Sequence, residues 1–213
     1  MSNDSYRLNA LEVYGRLGIA GVALSPDGRT LAYTHVRERR AEEDKDAKRI
    51  KVTTLGDVFL LPAAGGFPRQ LTNSGDVAQA PVWSPDGRRL LVQRQGQLQA
   101  ISADEADGAT KPVVLFKGGL FAPNLPGGDA PFGAPRWSPD GGWVLTATRE
   151  GHETTLIVLG ADGRQTRRLL TVEGYLTAWD WSPDGRTILV VTRHEDAHTG
   201  DVRMVDVATG ETR

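Results

Sequence analysis

The tetrapeptide Ser-Pro-Asp-Gly occurs four times in this chain, at residues 25–28, 84–87, 138–141 and 182–185. Proline sets φ for the first central position of a type I turn. Aspartate suits the second, and glycine accepts the left-handed conformation that closes a short hairpin loop with a bulge. An apolar or aromatic residue stands before each serine: Leu24, Trp83, Trp137 and Trp181. A β-branched or aliphatic run follows each glycine. Every copy therefore reads as strand, tight turn, strand, and a repeat of this length points to stacked supersecondary units.

The rest of each repeat supplies two further strands. In the first, Gly21–Leu24 and Arg29–Val36 flank the turn. Asp57–Leu61 gives a third strand, and Ala63-Ala64-Gly65-Gly66 turns into a fourth at Pro68–Leu71. The second repeat places strands at Ala80–Trp83, Arg89–Arg94, Leu98–Ser102 and Pro112–Phe116. The third places them at Ala134–Trp137, Trp143–Thr148, Thr154–Leu159 and Gln165–Leu170. The fourth has Leu176–Trp181, Thr187–Thr192 and Val202–Val207, and reaches Arg213 where its last strand should start. Four short antiparallel strands per unit are the content of a β-propeller blade. The expected fold is all-β: four four-stranded antiparallel blades, the last incomplete, forming a single partial propeller over residues 1–213. The blades run over about 18–72, 78–117, 133–171 and 175–213. Apolar residues at Leu8, Leu11, Val13, Tyr14 and Leu17 predict one short N-terminal helix.

Two segments interrupt the pattern. Arg37–Lys51 carries seven basic and five acidic residues. It reads as a solvated loop or a frayed helix between the second and third strands of the first blade, with a docking or gating loop as the sharper alternative. Residues 118–134 are rich in Gly and Pro and predict a surface loop between blades two and three.

Composition narrows the function. Net charge is −2, which gives no basic face for nucleic acid or an anionic membrane. There is no cysteine, which excludes disulfides and thiolate metal sites. No apolar run approaches the roughly 18 residues of a membrane span. The apolar stretch Leu17–Leu24 runs straight into the first turn, so it is read as a strand rather than a signal-peptide core. The expected location is cytoplasmic.

Together, an aromatic-Ser-Pro-Asp-Gly turn, an aliphatic strand, an Asp-aliphatic third strand and the ending Gly65-Gly66-Phe67-Pro68-Arg69-Gln70-Leu71-Thr72 resemble the propeller repeats of TolB and of the prolyl oligopeptidase family. The opening Leu11-Glu12-Val13-Tyr14, followed by Val22-Ala23-Leu24 and the first turn, resembles the acylaminoacyl-peptidase and dipeptidyl-peptidase branch of that family. The resemblance implies a propeller that precedes an α/β-hydrolase domain and limits entry of peptides to it. That hydrolase carries its nucleophile in a G-x-S-x-G elbow, and none of the serines here lies in one. The catalytic hydrolase domain is thus absent from this chain. The implied role is non-catalytic: gating or selecting peptide substrates for a serine peptidase. The implied partners are a hydrolase domain of the same parent chain, or a second copy completing the propeller. A TolB-like propeller that acts as a protein-binding scaffold is the alternative.

Candidate chemical residues are few. His194-Glu195-Asp196-Ala197-His198 matches the H-E-x-x-H zinc motif, which needs a helix to put both histidines on one face. Here it follows a β run and precedes Gly200, so a loop is expected and zinc is not. His35 and His152 have no partner visible in sequence. The acidic pairs Glu42-Glu43 and Asp104-Glu105 match no family context. The tryptophans 83, 137, 143, 179 and 181 read as inter-blade packing. No catalytic, cofactor-binding or metal-binding residue is assigned, and no cofactor is expected.

Overall fold

The computed structural model describes residues 18–44, 49–73, 81–94, 97–104, 112–117, 134–193 and 200–213. The N-terminal helix expected at Leu8–Leu17 and the loop expected at 118–134 lie outside the described residues, apart from Ala134.

The first sheet contains β1 (Ile19–Leu24), β2 (Thr30–Asp44), β3 (Arg49–Pro62) and β4 (Arg69–Gln70). The second contains β5 (Val82–Trp83), β6 (Arg89–Arg94), β7 (Gln97–Ser102) and β8 (Val113–Lys117). The third contains β9 (Arg136–Trp137), β10 (Trp143–Glu150), β11 (Glu153–Gly160) and β12 (Thr166–Glu173). The fourth contains β13 (Tyr175–Trp181), β14 (Thr187–Arg193) and β15 (Gly200–Asp206). In each sheet the strands lie side by side in chain order. The described residues are therefore all-β, with four, four, four and three antiparallel strands among them, the strand content of an incomplete four-blade propeller.

Past β15 the backbone turns at Thr209-Gly210 and comes back beside it. Asp206 donates its N–H to Glu211, and Met204 and Arg213 exchange N–H···O bonds at 2.8 and 3.0 Å. Val205 and Thr212 form an isolated bridge. The fourth-strand position of the last sheet is thus begun by the final residues.

The charged segment Arg37–Lys51 corrects the expectation of a loop or frayed helix. Within it β2 and β3 continue as a long hairpin, paired from Glu38↔Leu55 to Asp44↔Arg49. The physical reason is register. Once the hairpin is in frame, the sequence places Glu42 opposite Lys51 and Asp44 opposite Arg49. The pairing that runs from Leu31↔Leu61 to Val36↔Gly56 carries on through the charged run, where a residue count alone suggests solvation. A register shift between Val36 and Glu38 marks where the apolar sheet gives way to this charged arm.

The chain divides into two compact units. One is built on the first sheet, where Ala32, Thr34, Val58 and Leu60 are buried. They sit at facing positions, Ala32↔Leu60 and Thr34↔Val58, so they share one face. The other unit contains the remaining three sheets apart from Val92–Arg94 of β6, and these stack through two apolar layers. Leu91, Leu98, Ala100 and Leu115 of the second sheet meet Trp137, Val144, Ile157 and Leu159 of the third. The opposite face of the third sheet (Leu145, Ala147, Leu156, Val158) meets Leu176, Trp179, Ile188 and Val190 of the fourth. Strict alternation along β10 sends Val144 one way and Leu145 the other. A strand buried on both faces is consequently apolar at nearly every position, as Val144–Ala147 is but for Thr146.

Candidate functional site

The repeated turn holds the most regular polar chemistry in the molecule. Ser25 donates its hydroxyl to Asp27 Oδ1 at 2.6 Å. The same bond joins Ser84 to Asp86 at 2.5 Å, Ser138 to Asp140 at 2.5 Å and Ser182 to Asp184 at 2.6 Å. Each Oδ1 also accepts the N–H two residues on, from Arg29, Arg88, Gly142 and Arg186. Each serine Oγ in turn accepts the N–H that opens the next strand, from Thr30, Arg89, Trp143 and Thr187, at 2.9 Å. The glycine closes the loop by donating to the serine carbonyl, at φ between 68° and 73° in the four copies. L side chains are strained at such angles, which accounts for glycine there.

This network decides what the turn can do chemically. The serine hydrogen bond, followed by the backbone N–H, holds the Asp27, Asp86, Asp140 and Asp184 carboxyls below their ordinary value. A carboxylate made less basic is a poor general base at neutral pH, so the adjacent serine is not activated as a nucleophile. The Ser–Asp pairs are clamps.

The turns also join the stacked sheets. Trp137 donates its indole N–H to the Val82 carbonyl at 3.2 Å, and Trp181 donates to the Arg136 carbonyl at 3.4 Å. A Cβ on Gly141 would stand 3.6 Å from Pro85 Cδ, and one on Gly185 would stand 3.6 Å from Pro139 Cδ. The second-to-third and third-to-fourth junctions are therefore two copies of one contact. Arg89 reinforces the first of them. Its guanidinium donates to the carbonyls of Ala161 and Gly141 at 3.2 and 3.1 Å and lies 4.7 Å from the Trp137 ring centre. Arg167 does the same for the second, donating to Val207 and Ala208. Sequence reasoning placed the tryptophans at the blade junctions but missed both arginines, because nothing local marks their distant carbonyl partners.

In the first sheet a buried polar pair plays a similar positioning part. Thr72 donates to Asp57 Oδ1 at 3.1 Å and accepts the Val58 N–H at 3.0 Å. This anchors the segment after β4 onto β3.

The remaining sequence candidates do not converge. His35 is half-buried on β2, its ring edge-on to Phe59 at 5.8 Å between centres. His152 is exposed in the turn between β10 and β11, where its carbonyl accepts the Gly174 N–H. Glu42 and Glu43 lie on β2, and Asp104 is exposed just past β7. Glu105 and the His194–His198 motif lie outside the described residues. Among the described residues no group of three or more His, Cys, Asp or Glu side chains is placed to hold a metal ion. Among them, too, no helix is long and apolar enough to cross a membrane.

Comparison with known proteins gives the class. No family model matches the chain. The Tol-Pal system protein TolB of Anaeromyxobacter dehalogenans is 31% identical over 110 residues, covering 49% of this chain and 22% of that protein. The chain thus spans under a quarter of the length of the curated relatives of this kind. Among solved structures, TolB from Acinetobacter baumannii superposes with a TM-score of 0.61 at 17% identity, over 92% of this chain and 43% of that one. Porphyromonas gingivalis dipeptidyl peptidase 4 superposes with a TM-score of 0.64 at 13% identity, over 92% and 32%. At these identities the structural matches speak for the fold. The chain has a propeller-like, all-β fold distantly related to TolB and other propeller proteins.

Two expectations are corrected by these matches. The parent protein was expected to be a serine peptidase, a hydrolase resembling acylaminoacyl-peptidases. The longer sequence matches run instead to TolB, over 110 residues, whereas the match to an uncharacterized peptidase of Bacillus subtilis, 35% identical, spans 68 residues and 8% of that protein. The cytoplasmic expectation fails on the same ground, since TolB-type proteins are periplasmic. The physical reason for the first error is that the Ser-Pro-Asp-Gly clamp stabilises a blade whatever the propeller is attached to. It carries no information about catalysis.

Proposed function

We propose that this chain is a binding scaffold of TolB type: a stack of propeller blades that recognises a protein partner and performs no chemistry on it. The observation that carries the reading is the 31% identity to TolB over 110 residues. The geometry supports it, since the Ser–Asp pairs that recur along the chain are consumed by the turns themselves. The natural candidate partner is the Pal component of a Tol-Pal system. Isothermal titration calorimetry of the chain against Pal from the same organism tests the reading. Saturable binding supports it. Absence of binding overturns it, as does turnover of acyl- or dipeptidyl-chromogenic peptides by the purified chain.

A further inference from the structure

The turn that follows β11 is a further copy of the repeated turn, one that its sequence does not reveal. It runs Gly160-Ala161-Asp162-Gly163, with glycine and alanine where the other copies have serine and proline. Its backbone is bonded in the same way. Gly160 donates its N–H to the Gln165 carbonyl at 2.9 Å, as Ser138 does to Trp143 at 2.8 Å. Gly163 donates to the Gly160 carbonyl at 2.9 Å, the distance of the equivalent bond in all four clamped turns. Asp162 Oδ1 accepts the Arg164 N–H at 3.0 Å, and Gly163 has φ +75°. The missing part is the hydroxyl, which glycine at 160 cannot supply. Arg164 Nε stands 4.0 Å from Asp162 Oδ2 between exposed side chains, a contact too solvated to replace it.

Each of these five turns contains the dipeptide Asp-Gly. There the glycine nitrogen can attack the aspartate side chain, because no Cβ stands in the way. The nitrogen bonds to the carboxyl carbon, and the carboxyl hydroxyl and the amide proton leave as water. A second water opens the five-membered imide at either carbonyl, giving aspartate or isoaspartate. No oxidant and no co-reactant besides water is consumed. The reaction needs a protonated carboxyl, since an ionised one is a poor electrophile, and it needs that carboxyl free to swing toward the nitrogen. The glycine N–H is engaged alike in all five turns, so the nucleophile does not distinguish them. The carboxyl does. In the four clamped copies the serine hydroxyl pins Oδ1 and favours the ionised form.

We propose that Asp162–Gly163 is a site of isoaspartate modification, and that the turn serine protects the other four Asp-Gly bonds from the same reaction. Isoaspartate routes the main chain through the side chain and lengthens it by one methylene. The extra length enters where Gly163 lies against β8, since a Cβ on Gly163 would already be 2.5 Å from the Val114 carbonyl oxygen. The modification therefore strains the contact between the second and third sheets. Space around the glycine ranks the turns in the opposite order. A Cβ on Gly28 would meet nothing within 4 Å, so if room governed the reaction Asp27 would convert ahead of Asp162.

Peptide mapping decides between these orders. The folded chain is aged at physiological temperature in mildly acidic buffer, beside a sample kept unfolded in urea. Isoaspartate is located in the digests by electron-transfer fragmentation. In the folded chain Asp162 is expected to convert about tenfold or more faster than Asp27, Asp86, Asp140 and Asp184, the lower end of what a hydrogen bond to a charged acceptor represents. In urea the five should convert at similar rates. Two variants move the clamp. Ser182→Ala should raise conversion at Asp184 to the rate of Asp162. Gly160→Ser supplies the missing hydroxyl, its Cβ meeting first the Asp162 carboxylate at 2.9 Å, and should slow Asp162 to the clamped rate. No excess at Asp162 in the folded wild-type chain would overturn the proposal, as would Asp27 converting first. An unchanged rate at Asp184 in folded Ser182→Ala would overturn the protective part.

Discussion

The indole N–H of Trp137 donates to the Val82 carbonyl across the junction of the second and third sheets, and Trp181 repeats the bond on Arg136 one sheet further along. The tryptophans before Ser138 and Ser182 thus each reach back to the residue that precedes the corresponding tryptophan in the previous sheet. Trp137 is also buried in the apolar layer between those sheets. Trp137→Phe keeps most of the packing and loses the hydrogen bond, which should cost about 1 kcal/mol. Trp137→Ala opens a cavity as well and should cost about 3–5 kcal/mol. Urea denaturation of the two variants separates the contributions.

Ser138 tests the clamp. Its buried hydroxyl donates to Asp140 and accepts the Trp143 N–H. Ser138→Ala leaves that backbone donor without its partner at the start of β10, an effect of about 1–3 kcal/mol. Ser138→Thr retains the hydroxyl and should recover part of the loss. Equal destabilisation by Ala and Thr would show that the hydroxyl does not matter.

Two glycines separate backbone strain from steric contact. Gly28 has φ +73° with open space around the Cβ position, so Gly28→Ala should cost only the left-handed penalty, about 1–2 kcal/mol. Gly163 has φ +75°, and a Cβ there would lie 2.5 Å from the Val114 carbonyl oxygen. Gly163→Ala should be the more destabilising of the two, because backbone must move to admit it. Thermal unfolding of both variants checks the order.

Acid should unfold the protein through the clamps. The Asp27, Asp86, Asp140 and Asp184 carboxyls are held below their ordinary value, chiefly by the serine hydroxyl. Asp206 is held down by the Thr209 N–H and hydroxyl. A carboxyl whose pKa is lowered on folding stabilises the native state above its unfolded value. That stability is lost as pH falls through the folded value. Melting temperature should therefore not change with pH through these groups near neutrality, and should fall below about pH 4. Asp86→Asn combined with Asp140→Asn should lower stability at neutral pH and flatten the acid limb. An acid limb identical to that of the wild type would remove the clamps from the account.

The sequence alone determined the repeat and, with it, the strands. The Ser-Pro-Asp-Gly turn is a local device: the proline, the Ser–Asp bond and the left-handed glycine all act within six residues. Its position therefore locates the two strands it joins without reference to the rest of the fold. That is why β10 and β14 were expected from Trp143 and Thr187, where they begin. The tryptophans could be assigned to junctions because large aromatics before a turn need a covering surface.

Only the tertiary structure decided what depends on distant register. The run from Arg37 to Lys51 is charged enough to suggest a loop, and becomes a ladder because the strands on either side bring Glu42 opposite Lys51. Arg89 is an unremarkable surface residue in sequence. Its partners Gly141 and Ala161 lie 52 and 72 positions away and become neighbours only when two sheets stack. The exposed faces of the first and fourth sheets follow the same rule. Val22 and Trp179 occupy one position of the repeat, as do Leu145 and Leu189. Whether each is buried depends on whether another sheet lies against it, and that is a property of the assembly rather than of the local sequence.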